Sequence, residues 1–307
     1  MVTRLGIIGI SEGNGHPFSF SAIINGYSDE GMGASGWPGI HEYVKRRDHS
    51  EFGFEGFRVT HAWTQDPEVT RKLCKACLIP NPVTRLEEMI GSVDAVIIAR
   101  DDYESHFRMA IPFLKAGMHV FVDKPLSLDI EELNTFWPYV ESGKLMSCAG
   151  MRYARELDEP RASLSDYGEI MLVRGAILNS WEKYGVHMLD AIFNTVRSRP
   201  TSVFSIAGRH NSLTILMDDA SLIQIDALGD IGKCFRVDIF GTKKITSHEI
   251  TDNFSMFRRL LWHFINSIKS CTPAIPPEQV RTVMKLLIAG RKAITEERKV
   301  SLDEIRI

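Results

Sequence analysis

The sequence predicts an α/β fold in two domains, and three observations carry that reading. Residues 93–125 run as strand, turn, helix, turn, strand, with both strands apolar throughout, the pattern of strands buried on both faces of a parallel sheet. A glycine-rich turn stands between the first strand and the first helix of the chain. At 307 residues the chain is long for one domain and suits two.

Composition sets the outer bounds. Hydrophobic residues at 44% and charged residues at 24% are those of an ordinary globular protein. A formal charge of −3 leaves no electrostatic footprint for nucleic acid, so no nucleic-acid partner is expected. No apolar stretch reaches membrane-spanning length, and the first residues lead straight into a strand without a signal-peptide pattern. No membrane partner is therefore expected, and the expected location is cytoplasmic. The five cysteines fit reduced thiols. Cys74 and Cys77 are the only close pair, and a zinc site would need two further ligands at suitable spacing, so no metal is expected.

In chain order, residues 5–10 are the first strand, followed by Gly9-Ile10-Ser11-Glu12-Gly13-Asn14-Gly15 and a helix over about 19–27. Glycines in such a turn let the backbone approach a pyrophosphate, and the helix amino terminus favours its charge. Counted from Gly9, the second and third glycines of the G-x-G-x-x-G fingerprint fall on Ser11 and Asn14, with Gly13 and Gly15 compensating in a longer loop. Residues 28–57 form a long, glycine-rich connection that contains Trp37, His41, Tyr43 and Phe52. Its aromatics argue against disorder, and residues 40–47 suit a short helix. It reads equally as a lid or subunit contact and as a surface insertion. Residues 58–63 are the second strand and 66–76 the next helix. The strand over 94–99 is broken by Arg100, Asp101 and Asp102. Phe107, Ala110, Ile111 and Leu114 recur at helical spacing until Gly117. The strand over 119–122 then runs into Asp123, Lys124 and Pro125, placing Lys124 at a strand's carboxyl end, where ligands sit in open parallel sheets. Beyond it come a helix over 128–140 and a strand over 144–149.

The segment Ala116-Gly117-Met118-His119-Val120 followed by Asp123-Lys124-Pro125 resembles the Gfo/Idh/MocA family of oxidoreductases (glucose-fructose oxidoreductase and inositol dehydrogenase-like), whose strand–helix–strand unit ends in Glu-Lys-Pro. The resemblance implies a Rossmann dinucleotide-binding domain over 1–148 and an α+β domain with an open, mainly antiparallel sheet over 149–307, the second serving substrate binding and dimerisation. In this family an acidic residue usually follows the second strand and binds the adenosine ribose; Thr64 takes that place here, and Arg71 and Lys72 nearby suit a 2′-phosphate. The family's Thr-Pro is replaced around Ala99, Arg100 and Asp101. Arg152 in Gly150-Met151-Arg152-Tyr153 resembles the family's arginine at the domain junction. Gly185, His187 and Asp190 match its active-site helix, and Lys183 stands where many members carry Asp. Spacings of four and three put Lys183, His187 and Asp190 on one helix face. Strands over 171–177, 213–217, 221–227 and 235–240 and helices over 254–268 and 277–298 complete the second domain.

The implied activity is NAD(P)-dependent hydride transfer between a nicotinamide and a carbinol or carbonyl carbon of a sugar or sugar-like substrate. NAD(H) or NADP(H) would be held by Gly9, Ser11, Gly13, Gly15, Thr64, Arg100, Asp123, Lys124, Pro125 and Arg152. Lys124, His187, Lys183 and Asp190 are the candidate catalytic residues. Lys124 would bind the substrate oxygen and stabilise its charge, or relay the proton if its pKa is lowered, His187 would take the proton, and Lys183 would meet an anionic group. Lys124 and His187 are expected to face each other across a cleft, in a homodimer or higher homo-oligomer. The alternative is a dinucleotide-binding sensor of the same fold without turnover, which the altered glycine loop and Lys183 permit.

Overall fold

The computed structural model describes residues 2–307. In chain order the elements are β1 (Thr3–Ile8), α1 (His16–Asn25), α2 (Asp29–Gly33), α3 (Pro38–Lys45), β2 (Phe57–Trp63), α4 (Pro67–Ala76), β3 (Asn81–Pro82), β4 (Ala95–Ile98), α5 (His106–Lys115), β5 (His119–Val122), α6 (Ile130–Glu141) and β6 (Leu145–Ser147). They continue with α7 (Asp158–Ala162), β7 (Ile170–Ile177), α8 (Val186–Phe193), β8 (Pro200–Ala207), β9 (Asn211–Met217), β10 (Leu222–Ala227), β11 (Phe235–Gly241), β12 (Ile245–Glu249), α9 (Asn253–Ser270), α10 (Pro277–Glu296) and β13 (Val300–Ser301). The chain divides into two compact units. Met1–Ser127, Asn134–Ser147 and Phe257–Ile275 form the first, and Leu128–Leu133, Cys148–Met256 and Pro276–Ile307 the second.

The first unit holds a six-stranded sheet in the order β3-β2-β1-β4-β5-β6, parallel at every pair. This is the order of a Rossmann sheet, and its switch point lies between β1 and β4. Leu5, Ile7, Ile8, Val96, Ile97, Ile98, Val120, Phe121 and Val122 have no exposed surface, which is why these strands read as unbroken apolar runs. The carboxyl ends of β1, β4 and β5 open onto the turn at 9–15, onto Arg100–Asp102 and onto Asp123–Lys124.

Residues 28–57 contain the short helix expected near 40–47, as α3, and more structure besides. Ser28 caps α2 by accepting from the Gly31 amide. Gly31 then packs so closely on α4 that a Cβ there would lie 2.9 Å from the Ala76 Cα. Lys75 of α4 pairs with Glu30 at 2.6 Å. The α3 helix lies against α1, where the Tyr43 hydroxyl bonds Ser19 Oγ. The connection is thus a folded layer of the first unit, with Met32 and Val44 fully buried.

The second unit is built on a seven-stranded sheet in the order β12-β11-β7-β10-β9-β8-β13. Only β7 and β10 pair in parallel; the other neighbours are antiparallel. Val173, Ile215, Ile225, Val237 and Ile239 are buried on one face, which α8 and α10 cover. On the other face the register aligns Ile245, Phe240, Leu172, Leu222 and Leu216 in one apolar row across five strands.

Candidate functional site

Two acid–base pairs stand side by side at the carboxyl edge of the first sheet, one from each of two successive residues. Asp123 leaves β5 with 2% of its surface exposed. Its Oδ2 lies 2.5 Å from His16 Nδ1 and accepts from Asn14 Nδ2 at 3.2 Å, while its Oδ1 accepts the Lys124 amide at 2.9 Å. Burial alone would raise the Asp123 carboxyl, but the His16 charge and hydrogen bond, with Lys124 beside them, hold it far below the usual carboxylate range. Lys124 points elsewhere. Its Nζ lies 3.3 Å from Asp101 Oδ2, and its side chain is 4% exposed. Asp101 in turn accepts from Ser11 Oγ at 2.6 Å. Turn 9–15, β4 and β5 are thereby tied together by side chains that hydrophobic patterning does not reveal.

The glycines of the turn differ in what they permit. A Cβ on Gly9 would lie 2.2 Å from Pro17, so Gly9 serves strand–helix packing. A Cβ on Gly15 would lie 2.7 Å from the Trp37 ring and 2.5 Å from Ile40, so Gly15 seats the α3 layer. Gly13 alone has the left-handed φ of +74° with nothing within 4 Å of a built Cβ. Its backbone is the one that a phosphate group can approach freely.

The edge toward β2 is also rearranged. Thr64 is buried, its hydroxyl donating to the Asp66 carbonyl at 2.6 Å and sitting 2.8 Å from Thr70 Oγ1, inside the start of α4. Its neighbour Gln65 is exposed and binds both sides of Ile10, accepting its amide at 3.0 Å and donating to its carbonyl at 2.7 Å. Arg100 bridges Gln65 at 2.8 Å and Asp102 at 2.6 Å. Beneath Pro125, His106 is fully buried, with Nδ1 2.9 Å from the Pro125 carbonyl and Nε2 2.9 Å from the Arg100 carbonyl. That ring fixes the exit of β4 against the segment carrying Lys124.

In the second unit the helix bearing His187 begins with a π-turn over Trp181–Gly185 before α8. The wider turn takes Lys183 off the 3.6-residue spacing to His187, whereas His187 and Asp190, three residues apart within α8, keep theirs. Lys183 is exposed, His187 is 8% exposed and Asp190 is 4% exposed. Asp190 accepts the Ala149 amide at 2.7 Å and faces Arg152 at 3.4 Å. Burial pushes its carboxyl up to about 6, against the pull of Arg152. Arg152 also bonds Gln279, and Asn194 Nδ2 donates to its carbonyl at 2.8 Å. Asp190 and Arg152 therefore anchor the turn over Gly150–Tyr153 to α8. The His187 ring lies 5.0 Å from that of Tyr184.

Sequence reasoning missed Asn14, His16, Gln65, Asp101 as a partner of Lys124, and His106. Only His16 carried a local signal, as a ring nitrogen directly after the last glycine of the turn.

Residues 31–150 match the oxidoreductase family with an NAD-binding Rossmann fold, GFO_IDH_MocA. YceM of Salmonella typhimurium, described as an oxidoreductase, is 28% identical over 95 residues, or 31% of this chain and 30% of that protein. A protein of Amycolatopsis mediterranei described as the oxidoreductase subunit of a UDP-kanosamine synthase is 28% identical over 137 residues, or 44% of this chain and 37% of its own. The matched stretch spans about a third of the length of these two relatives. Among solved structures, myo-inositol 2-dehydrogenase from Lactobacillus plantarum superposes with a TM-score of 0.77 at 15% identity, over 98% of this chain and 99% of that one. The scyllo-inositol dehydrogenase of Lactobacillus casei, solved with NAD(H) and scyllo-inositol, gives 0.74 at 16% identity over 99% and 100%. At such identities the likeness is one of fold.

Proposed function

We propose, from the match of residues 31–150 to the oxidoreductase family with an NAD-binding Rossmann fold, that the chain is an NAD(P)-dependent dehydrogenase or reductase acting on CH–OH groups. The substrate in this reading is a sugar or sugar-like compound, including ones with an anionic group. The observation that carries it is the convergence at the carboxyl edge of one parallel sheet, where the open left-handed turn at Gly13 follows β1 and the buried Lys124, after β5, is linked to that turn through Asp101 and Ser11.

The residues present fit a dinucleotide. The backbone around Gly13 would meet the pyrophosphate beside the amino terminus of α1, with His16 adjacent. Gln65, neutral and exposed after β2, would meet the adenosine ribose in place of the buried Thr64. Its lack of charge is compatible with either NAD(H) or NADP(H). When bound, the nicotinamide supplies the hydride acceptor or donor. Lys124 offers a positive charge and hydrogen-bond donor to the substrate oxygen. His187 takes or returns the hydroxyl proton, and Lys183, exposed at the π-turn, meets an anionic substituent. Asp190 keeps the His187 helix in place through Arg152.

Calorimetry with the oxidised and reduced forms of both dinucleotides tests the reading. Binding of at least one is expected, followed by turnover in a screen of polyols, sugar acids and nucleotide sugars. No heat and no thermal shift with any of the four would remove the proposal.

A further inference from the structure

Three features at the β2 side of the first sheet could hold a 2′-phosphate on an adenosine ribose, and a carboxylate of the chain already engages each. The amino terminus of α4 is the first. Asp66 caps it, accepting the Glu68 amide at 2.7 Å and the Val69 amide at 3.4 Å. Those amides are the donors that a phosphate would otherwise find there. Arg71 is the second. Its Nε and Nη2 both donate to Glu68 Oε2, at 3.1 and 2.5 Å. Arg100 is the third. Its Nε donates to Asp102 Oδ1 at 2.8 Å and its Nη2 to Asp102 Oδ2 at 2.6 Å. Its Nη1 reaches across the end of β1 and donates to Gln65 Oε1 at 2.8 Å. The two arginine pairs are not equal. The side chains of Arg71 and Glu68 are 66% and 57% exposed, and such pairs are weak. Those of Arg100 and Asp102 are 11% and 35% exposed, in the two-pronged geometry that gives the stronger hydrogen bonds. Burial alone would raise the Asp102 carboxyl, but the hydrogen bonds and charge of Arg100 hold it below its ordinary value. Lys72 is exposed on the second turn of α4 and joins none of these pairs.

We propose that the Arg100–Asp102 pair determines cofactor specificity and selects NAD(H) over NADP(H). This rests on the reading of the chain as a dinucleotide-binding dehydrogenase with the adenosine toward Gln65. Each Nη of Arg100 carries a second N–H, so the arginine can still donate to a neutral ribose hydroxyl. Toward a phosphate dianion the pair is close to electrically neutral, and the Asp102 carboxylate repels the dianion at short range. The carboxylates of Asp66 and Glu68 add to that repulsion from the start of α4. Thr64, buried and bonded within that helix start, supplies no negative charge after β2. Asp102 supplies it from the far side of β1. Arg71 and Lys72, which by sequence suit a 2′-phosphate, are therefore outweighed by groups that only the fold brings near them.

The test is calorimetry with the oxidised and reduced forms of both dinucleotides on four forms of the whole chain. These are wild type, Asp102→Asn, Glu68→Gln and the double variant Asp102→Asn with Arg100→Gln. The wild type should bind NAD(H) ~10-fold or more tighter than NADP(H). Asp102→Asn should tighten NADP(H) ~3–30-fold, between the exposed and desolvated limits for one charge pair, and leave NAD(H) nearly unchanged. That gain should shrink with added salt and disappear in the double variant. Glu68→Gln should give a smaller gain, because its pair is the exposed one. A purely structural role for Asp102 would weaken both dinucleotides together and leave their ratio unchanged, and that result would overturn the proposal. So would wild-type affinities that are equal or favour NADP(H), or a larger gain in Glu68→Gln than in Asp102→Asn. The wild-type ratio keeps the proposal falsifiable if Asp102→Asn fails to fold. No heat with any dinucleotide sinks this proposal and the dehydrogenase reading together, whereas heat without a preference sinks this one alone.

Discussion

Replacing Gly15 by alanine separates two uses of a glycine that sequence alone would assign to phosphate binding. Gly15 has φ −90° and ψ 13°, which alanine adopts without strain. The backbone term should therefore favour the variant slightly, by ~0.4–1 kcal/mol through the unfolded chain. Against that, the new Cβ would lie 2.5 Å from Ile40 Cδ1 and 2.7 Å from Trp37 Cδ2 and Cε3, against an ordinary contact of at least 3.4 Å. The deficit is about 0.7–0.9 Å. The Ile40 methyl can rotate aside, whereas the indole is a rigid plane and must move as a whole. Overpacking of this kind costs ~1–3 kcal/mol, leaving a net loss on the order of 1–2 kcal/mol. The assay is chemical denaturation of four proteins, namely wild type, Gly15→Ala, Trp37→Ala and the double variant, with dinucleotide affinity measured on each. In the Trp37→Ala background the cost of Gly15→Ala should vanish or change sign, a coupling of ~1–3 kcal/mol. Dinucleotide affinity should follow the displacement of Trp37 and recover in the double variant. An equal cost in both backgrounds, or a loss of affinity that survives in the double variant, would refute the assignment of Gly15 to the α3 layer and return it to the phosphate.

Lys124→Ala should leave dinucleotide affinity largely intact while slowing turnover ~10²–10³-fold, and His187→Ala should slow it ~10²–10⁴-fold with an altered pH dependence; full activity in the first would remove Lys124 from the mechanism. Lys183→Ala should raise KM for an anionic substrate more than it lowers kcat, and equal losses in both constants would place it at the reacting carbon instead. His119, buried at the start of β5 beside Lys144, has its pKa pushed down to about 4 by burial first and that charge second. Its neutral form is favoured on folding, so its contribution is present above pH ~6.5 and fades as pH falls toward ~4, by on the order of 2 kcal/mol. Urea denaturation across that window should show a shallower pH slope in His119→Gln, and an unchanged slope would show that other groups carry it. The apolar row of Ile245, Phe240, Leu172, Leu222 and Leu216, with Ile245 66% exposed, is expected to pair with a second copy of the chain. Sedimentation should give a dimer or larger that Phe240→Glu dissociates, and a well-behaved wild-type monomer would contradict it.

The strand–helix–strand unit was legible because each of its parts follows a local rule. β4 and β5 are buried on both faces and read as apolar runs, and α5 spans His106–Lys115 as its periodicity requires. Of the layer over residues 28–57, only α3 was legible, as the short helix read at about 40–47. α2 has the sequence Asp-Glu-Gly-Met-Gly, a poor helix by propensity, and exists because Ser28 caps it and Gly31 fits against α4. Lys124 stood out through the residues around it, but its partner Asp101 is 23 positions away and His16 reaches Asp123 across 107. Such pairs are made by strand order, which pattern reading does not supply. The π-turn before α8 was invisible for another reason, since any helical spacing argument presumes 3.6 residues per turn.

The most direct measurement is a crystal structure grown with saturating dinucleotide. The account predicts pyrophosphate density over the backbone of Gly13 at the amino terminus of α1, the adenosine toward Gln65, and the nicotinamide ring beside Lys124. A dinucleotide bound in the opposite direction, with adenine beside Lys124, or density at some other edge of the sheet, would contradict it.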